Sequence, residues 1–291
     1  MGKKALILSG GGARGAYQAG VFRYLEEMGF VPDIVCGTSV GAINACGIAS
    51  GMDSEKLSEL WRTLDRKKVM KTGFRRTFRS LFRRKFHPMA DPGPLRELVQ
   101  SHLDFNALHT SPMDVYIAAV NIEQSKLVFF KNKEISIDHL MASSAIPLLF
   151  PWQILGGEAY WDGGLMANTP ILPAIQSGAD DIISVLLSPV GGEANRQELP
   201  KNRREALSRA VELSLLGSYQ NLWMKVEENQ KQETELGFLS SLLRAANPKI
   251  RIRTLGPKTY FSLKSVLNFT AQQAESLIEQ GYLDAQNQLK A

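Results

Sequence analysis

Short apolar runs alternate with stretches of helical periodicity along the chain. Runs rich in Ile, Val, Leu and Phe predict strands at KALILSG (4–10), DIVCG (33–37), VYIAAVN (115–121), KLVFFK (126–131), DIISVLLS (181–188) and KIRIRTL (249–255). Apolar positions three and four residues apart predict helices over about residues 15–28, 40–50, 203–235 and 270–290. Strands that alternate with helices are typical of an α/β fold with a mostly parallel central sheet.

The length and composition fit one large α/β domain or two small ones, since the chain has 291 residues and 44% of them are hydrophobic. The sequence shows no internal repeat, and no low-complexity linker interrupts it outside one basic segment. We therefore expect a single domain over residues 1–291, with a helical C-terminal part from about residue 203.

The apolar stretches near the amino terminus do not predict a signal peptide or a membrane span. The run Ala5–Leu8 is too short for a signal peptide. The uncharged stretch Ile34–Met52 contains four glycines, which favours a strand, a turn and a buried helix. Cys36 and Cys46 both lie among apolar residues, which favours buried reduced thiols. We expect a cytoplasmic protein.

A basic segment at residues 66–86 contains ten Lys or Arg and no acidic residue. The whole chain has a net charge of +5, so the remainder is mildly acidic. Helical spacing places phenylalanines on one side of this segment and arginines on the other, which suits the surface of an anionic membrane. A solvated loop explains the same composition equally well, and nucleic acid is not the expected partner. The membrane-binding candidates are Arg75, Arg76, Phe78, Arg79, Phe82, Arg83 and Arg84.

The stretch CGTSVGA places Ser39 between Gly37 and Gly41, in the pattern G-x-S-x-G. A predicted strand ends at Gly37 and a predicted helix begins near Val40, so the chain must turn sharply at the serine and expose its hydroxyl. The amino end of the helix favours a developing oxyanion at the same place. A tight turn capped by Thr38 or Ser39, without chemistry, is the alternative.

A glycine-rich loop, GGGARG, follows the first predicted strand and opens a helix at residues 10–15. It satisfies G-x-G-x-x-G, which is typical of dinucleotide sites. Such a site needs an acid at the end of the second strand, whereas Asp33 precedes that strand. The loop can instead direct the N–H groups of Gly11 and Gly12 toward Ser39 as an oxyanion hole. A turn without chemistry remains the simpler interpretation.

The base for Ser39 is a second question, because the four histidines lie at residues 87, 102, 109 and 139. None follows residue 139, where the usual hydrolase order would place one, and their spacing predicts no metal site. The stretch YWDGGLMANTP offers Asp162 ahead of Gly163 and Gly164, whose small size permits a direct approach to the serine. Asp-Gly is also a common turn dipeptide. A direct Ser-Asp dyad would need no histidine.

Together, GGGARG, GTSVG and DGG resemble the motifs of the patatin-like phospholipase family, as does ASSAIPLLFP at residues 142–151. The resemblance implies a three-layer α/β/α domain that hydrolyses ester bonds of lipids without a cofactor or a metal. It implies that Ser39 is the nucleophile and Asp162 the base, with Arg14 orienting the loop. The residues implied for the oxyanion hole are Gly10, Gly11, Gly12, Ala13, Arg14 and Gly15. The glycines implied to support the dyad and the sharp turn at Ser39, called the elbow, are Gly37, Gly41, Gly163 and Gly164.

Three classes of function are compatible with these motifs. A lipid acyl hydrolase requires a reactive Ser39, whereas a catalytically silent lipid-binding adaptor requires only binding. A dinucleotide-dependent oxidoreductase is disfavoured by the position of Asp33.

Overall fold

The computed structural model describes residues 2–72, 88–189, 198–203, 205–206, 209–211, 213–217, 219–220, 250–258 and 263–290. Within this part of the chain the main sheet has eight strands. They are β1 (Lys3–Leu8), β2 (Ile34–Thr38), β5 (Asp114–Asn121), β6 (Lys126–Lys131), β7 (Gln153–Leu155), β8 (Glu158–Asp162), β9 (Ala179–Val185) and β10 (Arg251–Leu255). A separate antiparallel pair is formed by β3 (Lys71–Thr72) and β4 (Ala90–Asp91).

Helices cover both faces of the main sheet, as an α/β/α fold requires. They are α1 (Ala16–Glu27), α2 (Val40–Ala49), α3 (Ser54–Thr63), α4 (Arg66–Val69), α5 (Gly93–His102), α6 (Phe105–Thr110), α7 (Ile137–Ser143), α8 (Gly164–Ala167), α9 (Leu172–Gln176) and α10 (Ala271–Leu289). The described residues from 203 to 220 are also helical.

The strand order is β10-β9-β1-β2-β5-β8-β7, with β6 paired to β5 off this path. Strands β10, β9, β1, β2 and β5 are parallel, whereas β6, β7 and β8 are antiparallel to their neighbours. All the predicted strands are confirmed. The β7–β8 hairpin was not predicted, because its strands are short and carry no continuous apolar run.

The central strand β1 is apolar throughout because both of its faces are buried. Leu6 and Leu8 pack on one face with residues of α1, α3 and α10. Ala5 and Ile7 pack on the other face with residues of α9 and β9. This alternation confirms the α/β/α layering and places the ends of β1 and β2 between two layers of helices.

The C-terminal helix α10 packs closely against α1. A Cβ atom at Gly20 would lie 1.8 Å from the Ile278 carbonyl oxygen, so the helices approach at a distance that only glycine permits. The buried Tyr17 hydroxyl donates a 3.1 Å hydrogen bond to Asp284 across this contact. The predicted C-terminal helix is confirmed at Ala271–Leu289, and the described residues from 203 to 220 are helical, within the range predicted at 203–235.

The basic segment begins inside the described part of the chain. Helix α4 exposes Arg66, Lys67 and Lys68, whereas Val69 and Met70 are buried. The membrane-binding candidates Arg75, Arg76, Phe78, Arg79, Phe82, Arg83 and Arg84 all lie outside the described residues. Among the described helices, none combines the length and apolar character needed to cross a membrane.

Candidate active site

Ser39 lies in a sharp turn between β2 and α2. Its backbone has φ 56° and ψ −125°, in a region that non-glycine residues rarely adopt. A Cβ atom at Gly37 would lie 2.2 Å from the Gly41 carbonyl oxygen, and one at Gly41 would lie 2.2 Å from the Leu8 carbonyl oxygen. Both glycines are therefore required by the close approach of α2 to β2 and β1, which holds the serine at the amino end of the helix.

Strand β5 aligns Ser39 with Asp162. Its residues 114–118 pair with β2, and its residues 119–121 pair with β8. Since β6 occupies the opposite edge of the same strand, β2 and β8 must lie end to end along one edge. Thr38 is opposite Ala118 and Asp162 is opposite Ala119, so the last residue of β8 meets the chain where β2 turns into Ser39.

The Ser39 hydroxyl interacts with the Asp162 carboxylate, and this interaction, of the hydrogen-bond type, lowers the pKa of Asp162. The Gly164 N–H also donates to Asp162 Oδ1, at 2.7 Å. Ser39 and Asp162 are each only 6% exposed. Burial raises the pKa of Asp162 from 3.8 to about 6, and the two hydrogen bonds act in the opposite direction. The carboxylate is thus a stronger base than an ordinary aspartate, while still ionised at neutral pH.

The carboxyl end of α7 and the residues after it contact both members of this pair. The Ser39 N–H donates to Ser143 Oγ at 3.0 Å, and the Asp162 N–H donates to the Ala145 carbonyl at 3.0 Å. Sequence reasoning named Ser143 only as part of the stretch ASSAIPLLFP. Its position within ASSAIPLLFP, a stretch already recognised as family-like, was the one signal that could have identified it.

The glycine loop lies directly beside Ser39. A Cβ atom at Gly10 would come within 3.2 Å of Ser39 Cβ. The Gly10 N–H donates to the Asn168 carbonyl at 3.1 Å, and Asn168 Nδ2 donates to the Gly10 carbonyl at 3.3 Å. Gly10 is therefore fixed by Asn168, a residue that sequence reasoning did not single out. The described residues supply no acceptor for the N–H groups of Gly11 and Gly12.

The rest of the loop, Gly12–Gly15, forms one turn of 3-10 helix in which the last three residues are buried. Arg14 extends from this turn and makes hydrogen bonds to Ser265 Oγ at 2.8 Å, to the Leu187 carbonyl at 3.3 Å and to Ser188 Oγ at 3.3 Å. The loop is thereby tied to the chain after β9 and to the segment before α10. The orienting role of Arg14 stays a prediction.

An apolar cavity opens beside Ser39. Its walls are one face of α2, parts of α3 and α5, and residues 146–150, Leu267 and Phe269. Asn44 also lines it, but the Asn44 amide is satisfied by Gly15, Gln18 and Trp61. The cavity therefore offers an almost entirely apolar surface to a ligand that reaches the serine.

The described histidines do not hydrogen-bond to Ser39. His102 contacts the Leu98 carbonyl, His109 contacts the Ile135 carbonyl, and His139 contacts Ser136. His87 lies outside the described residues. In the part of the chain that the structure covers, no group of three His, Cys, Asp or Glu side chains could hold a metal ion. Among the described residues, Asp162 is thus the ionisable side chain that interacts with Ser39.

Comparison with known proteins shows similarity to phospholipases. The family model for patatin-like phospholipase matches residues 6–175. A cGAMP-activated phospholipase of Vibrio cholerae is 31% identical over 196 residues, covering 57% of this chain and 55% of that protein. The lysophospholipase NTE1 of Cryptococcus neoformans is 28% identical over 207 residues, covering 66% of this chain and 12% of that protein.

Among solved structures, VipD from Legionella pneumophila matches with a TM-score of 0.57 at 16% identity, covering 100% of this chain and 67% of that chain. At this identity the likeness shows the fold alone. The chain spans about half the length of the cGAMP-activated phospholipases that it matches.

Proposed function

Because the chain belongs to the patatin-like phospholipase family, we propose that it hydrolyses carboxylic ester bonds of lipids through a Ser39–Asp162 dyad. The observation that carries this proposal is the placement of Ser39 beside a buried carboxylate whose pKa is raised to about 6. A base with a pKa close to the working pH is the kind that general-base catalysis requires.

In the first half of the reaction, Asp162 accepts the Ser39 proton as Oγ attacks the ester carbonyl carbon. The resulting tetrahedral oxyanion collapses and expels the alcohol or lysolipid, which takes the proton from Asp162. In the second half, Asp162 accepts a proton from water as the water oxygen attacks the acyl-enzyme. The acid product leaves and the proton returns to Ser39 Oγ.

The oxyanion is stabilised by the glycine loop and by α2. The N–H groups of Gly11 and Gly12 are the loop donors left without an acceptor among the described residues, and the amino end of α2 adds its positive potential. One such donor contributes about 3 kcal/mol to transition-state stabilisation. Arg14 acts as a positioning residue, because it fixes the loop without touching the substrate.

The apolar cavity beside Ser39 supports a lipid as the substrate. A fatty acyl chain gains about 0.8 kcal/mol for each methylene that it buries. With the Asn44 amide internally satisfied, the walls impose little desolvation penalty on such a chain. Ser144 borders the cavity, and its buried hydroxyl has no hydrogen-bond partner in the described part of the chain.

The basic segment is proposed to hold the protein against an anionic membrane. Support comes from its charge and from its start at the cavity wall, where Val69 and Met70 are buried and Arg66 to Lys68 are exposed. Sedimentation with anionic vesicles tests this proposal. Replacing Arg75, Arg76, Arg83 and Arg84 with glutamine should reduce the bound fraction, and unchanged binding would contradict it.

The hydrolase proposal is tested by comparing the wild type with Ser39→Ala and Asp162→Asn on p-nitrophenyl esters and on phospholipid vesicles. We expect turnover in the wild type and its loss in both variants. The assay is repeated with cGAMP, since relatives of this chain are named as cGAMP-activated phospholipases. Vesicle binding without turnover under every condition would support a silent lipid-binding protein instead.

A further inference from the structure

The apolar cavity follows one face of α2 away from Ser39. Val40, Ile43, Asn44 and Gly47 all border it, at the spacing of successive helical turns. Since an α-helix rises 1.5 Å per residue, Val40 and Gly47 are about 10 Å apart along the cavity wall. Gly47 is therefore the last residue of α2 that lines the cavity, counted from Ser39.

Gly47 differs from the glycines that the fold requires. It is buried, yet a Cβ atom there would approach only Met52, at 3.1 Å from Sδ and 3.9 Å from Cγ. No backbone atom stands in the way, unlike at Gly37 and Gly41. Glycine is a poor helix former, so helix propensity does not favour it at this position, whereas the close packing of Met52 does. Its consequence is that the flexible Met52 side chain packs directly against α2 at this end of the cavity wall.

We propose that Gly47 and Met52 form the distal end of an acyl-chain subsite, and that they set the preferred acyl length at roughly eight carbons. An extended chain advances about 1.2 Å per bond, so about 10 Å of wall accommodates roughly eight bonds. This inference rests on the proposed hydrolase function, because the chain is measured from an ester carbonyl held at Ser39. A side chain at residue 47 shortens the subsite, and a smaller side chain at residue 52 lengthens it.

The test measures kcat/KM for p-nitrophenyl esters with acyl chains from butanoate to hexadecanoate. The wild type is expected to be best near octanoate. Gly47→Leu is expected to move the optimum to shorter chains, since each excluded methylene lowers kcat/KM about fourfold. Three excluded methylenes therefore reduce the octanoate-to-butanoate ratio roughly fiftyfold. Gly47→Ala, which improves helix propensity while adding one methyl group, is the matched control and should change the ratio only slightly.

Met52→Ala is the reciprocal variant, and it should move the optimum to longer chains. It keeps the test decisive if Gly47→Leu does not fold, as judged by circular dichroism. If kcat/KM depends on acyl-chain length as in the wild type, in a folded Gly47→Leu or in Met52→Ala, the subsite proposal is overturned. The hydrolase proposal would still stand in that case, provided that Ser39→Ala loses activity. A wild type that hydrolyses no ester of any length overturns both proposals together.

Discussion

Replacing Asp162 by Asn should stabilise the fold while abolishing turnover. Asp162 is buried, and its pKa is raised from 3.8 to about 6. The folded state therefore favours the protonated form, and this contribution to stability is fully present below pH 3.8 and lost as the pH rises through about 6. Asparagine keeps the acceptor for the Gly164 N–H but carries no charge.

The size of the pKa shift of Asp162 sets the expected change in the free energy of unfolding. At about 1.4 kcal/mol per pKa unit, the ionised carboxylate lowers the free energy of unfolding by about 3 kcal/mol above pH 6, and by about half of that at pH 5. For a chain of this size, 3 kcal/mol corresponds to about 6 °C in Tm. The stability advantage of Asp162→Asn over the wild type should therefore grow with pH between about 4 and 7.

Chemical unfolding of both proteins at pH 5 and pH 8 measures this difference. Glu97→Gln, which removes a carboxylate from an exposed position on α5, controls for the loss of one charge. The reasoning is refuted if the advantage of Asp162→Asn is the same at the two pH values, because the Asp162 carboxyl would then titrate alike in the folded and unfolded states.

The remaining predictions concern the rate of ester hydrolysis. The pH profile of kcat/KM should rise with an apparent pKa of about 6, as Asp162 loses its proton; a profile flat between pH 5 and 8 would exclude it as the base. Ser143→Ala removes the acceptor of the Ser39 N–H and should lower kcat about tenfold with little change in KM. Arg14→Lys loses the guanidinium hydrogen bonds that fix the glycine loop, so steady-state kinetics should again show a lower kcat. A change confined to KM in either variant would contradict a positioning role.

Much of the fold was predictable because its strands and helices have strong local patterns. The two-sided burial of β1 produces a continuous apolar run, and the glycines around Ser39 are required by backbone contacts that no other residue permits. These are properties of short stretches of chain, so they are visible in the sequence. The juxtaposition of Ser39 and Asp162 was inferred from chemistry and from family resemblance.

The parts that were missed depend on contacts between distant segments. Ser143 and Asn168 bind backbone atoms of the elbow and of the glycine loop, and nothing in their local sequence reports those partners. The way β5 aligns two strands along one edge depends on the β7–β8 hairpin, whose strands are too short for a periodic signal. The cavity likewise gathers residues from several helices, so its extent becomes apparent only in three dimensions.

The dyad is tested most directly by labelling the protein with an alkyl fluorophosphonate and mapping the adduct by mass spectrometry. We predict one adduct, on Ser39, with a labelling rate that increases between pH 5 and 7 and falls sharply in Asp162→Asn. An adduct on another serine, or equal labelling of the wild type and Asp162→Asn, would contradict the assignment of Ser39 and Asp162 as nucleophile and base.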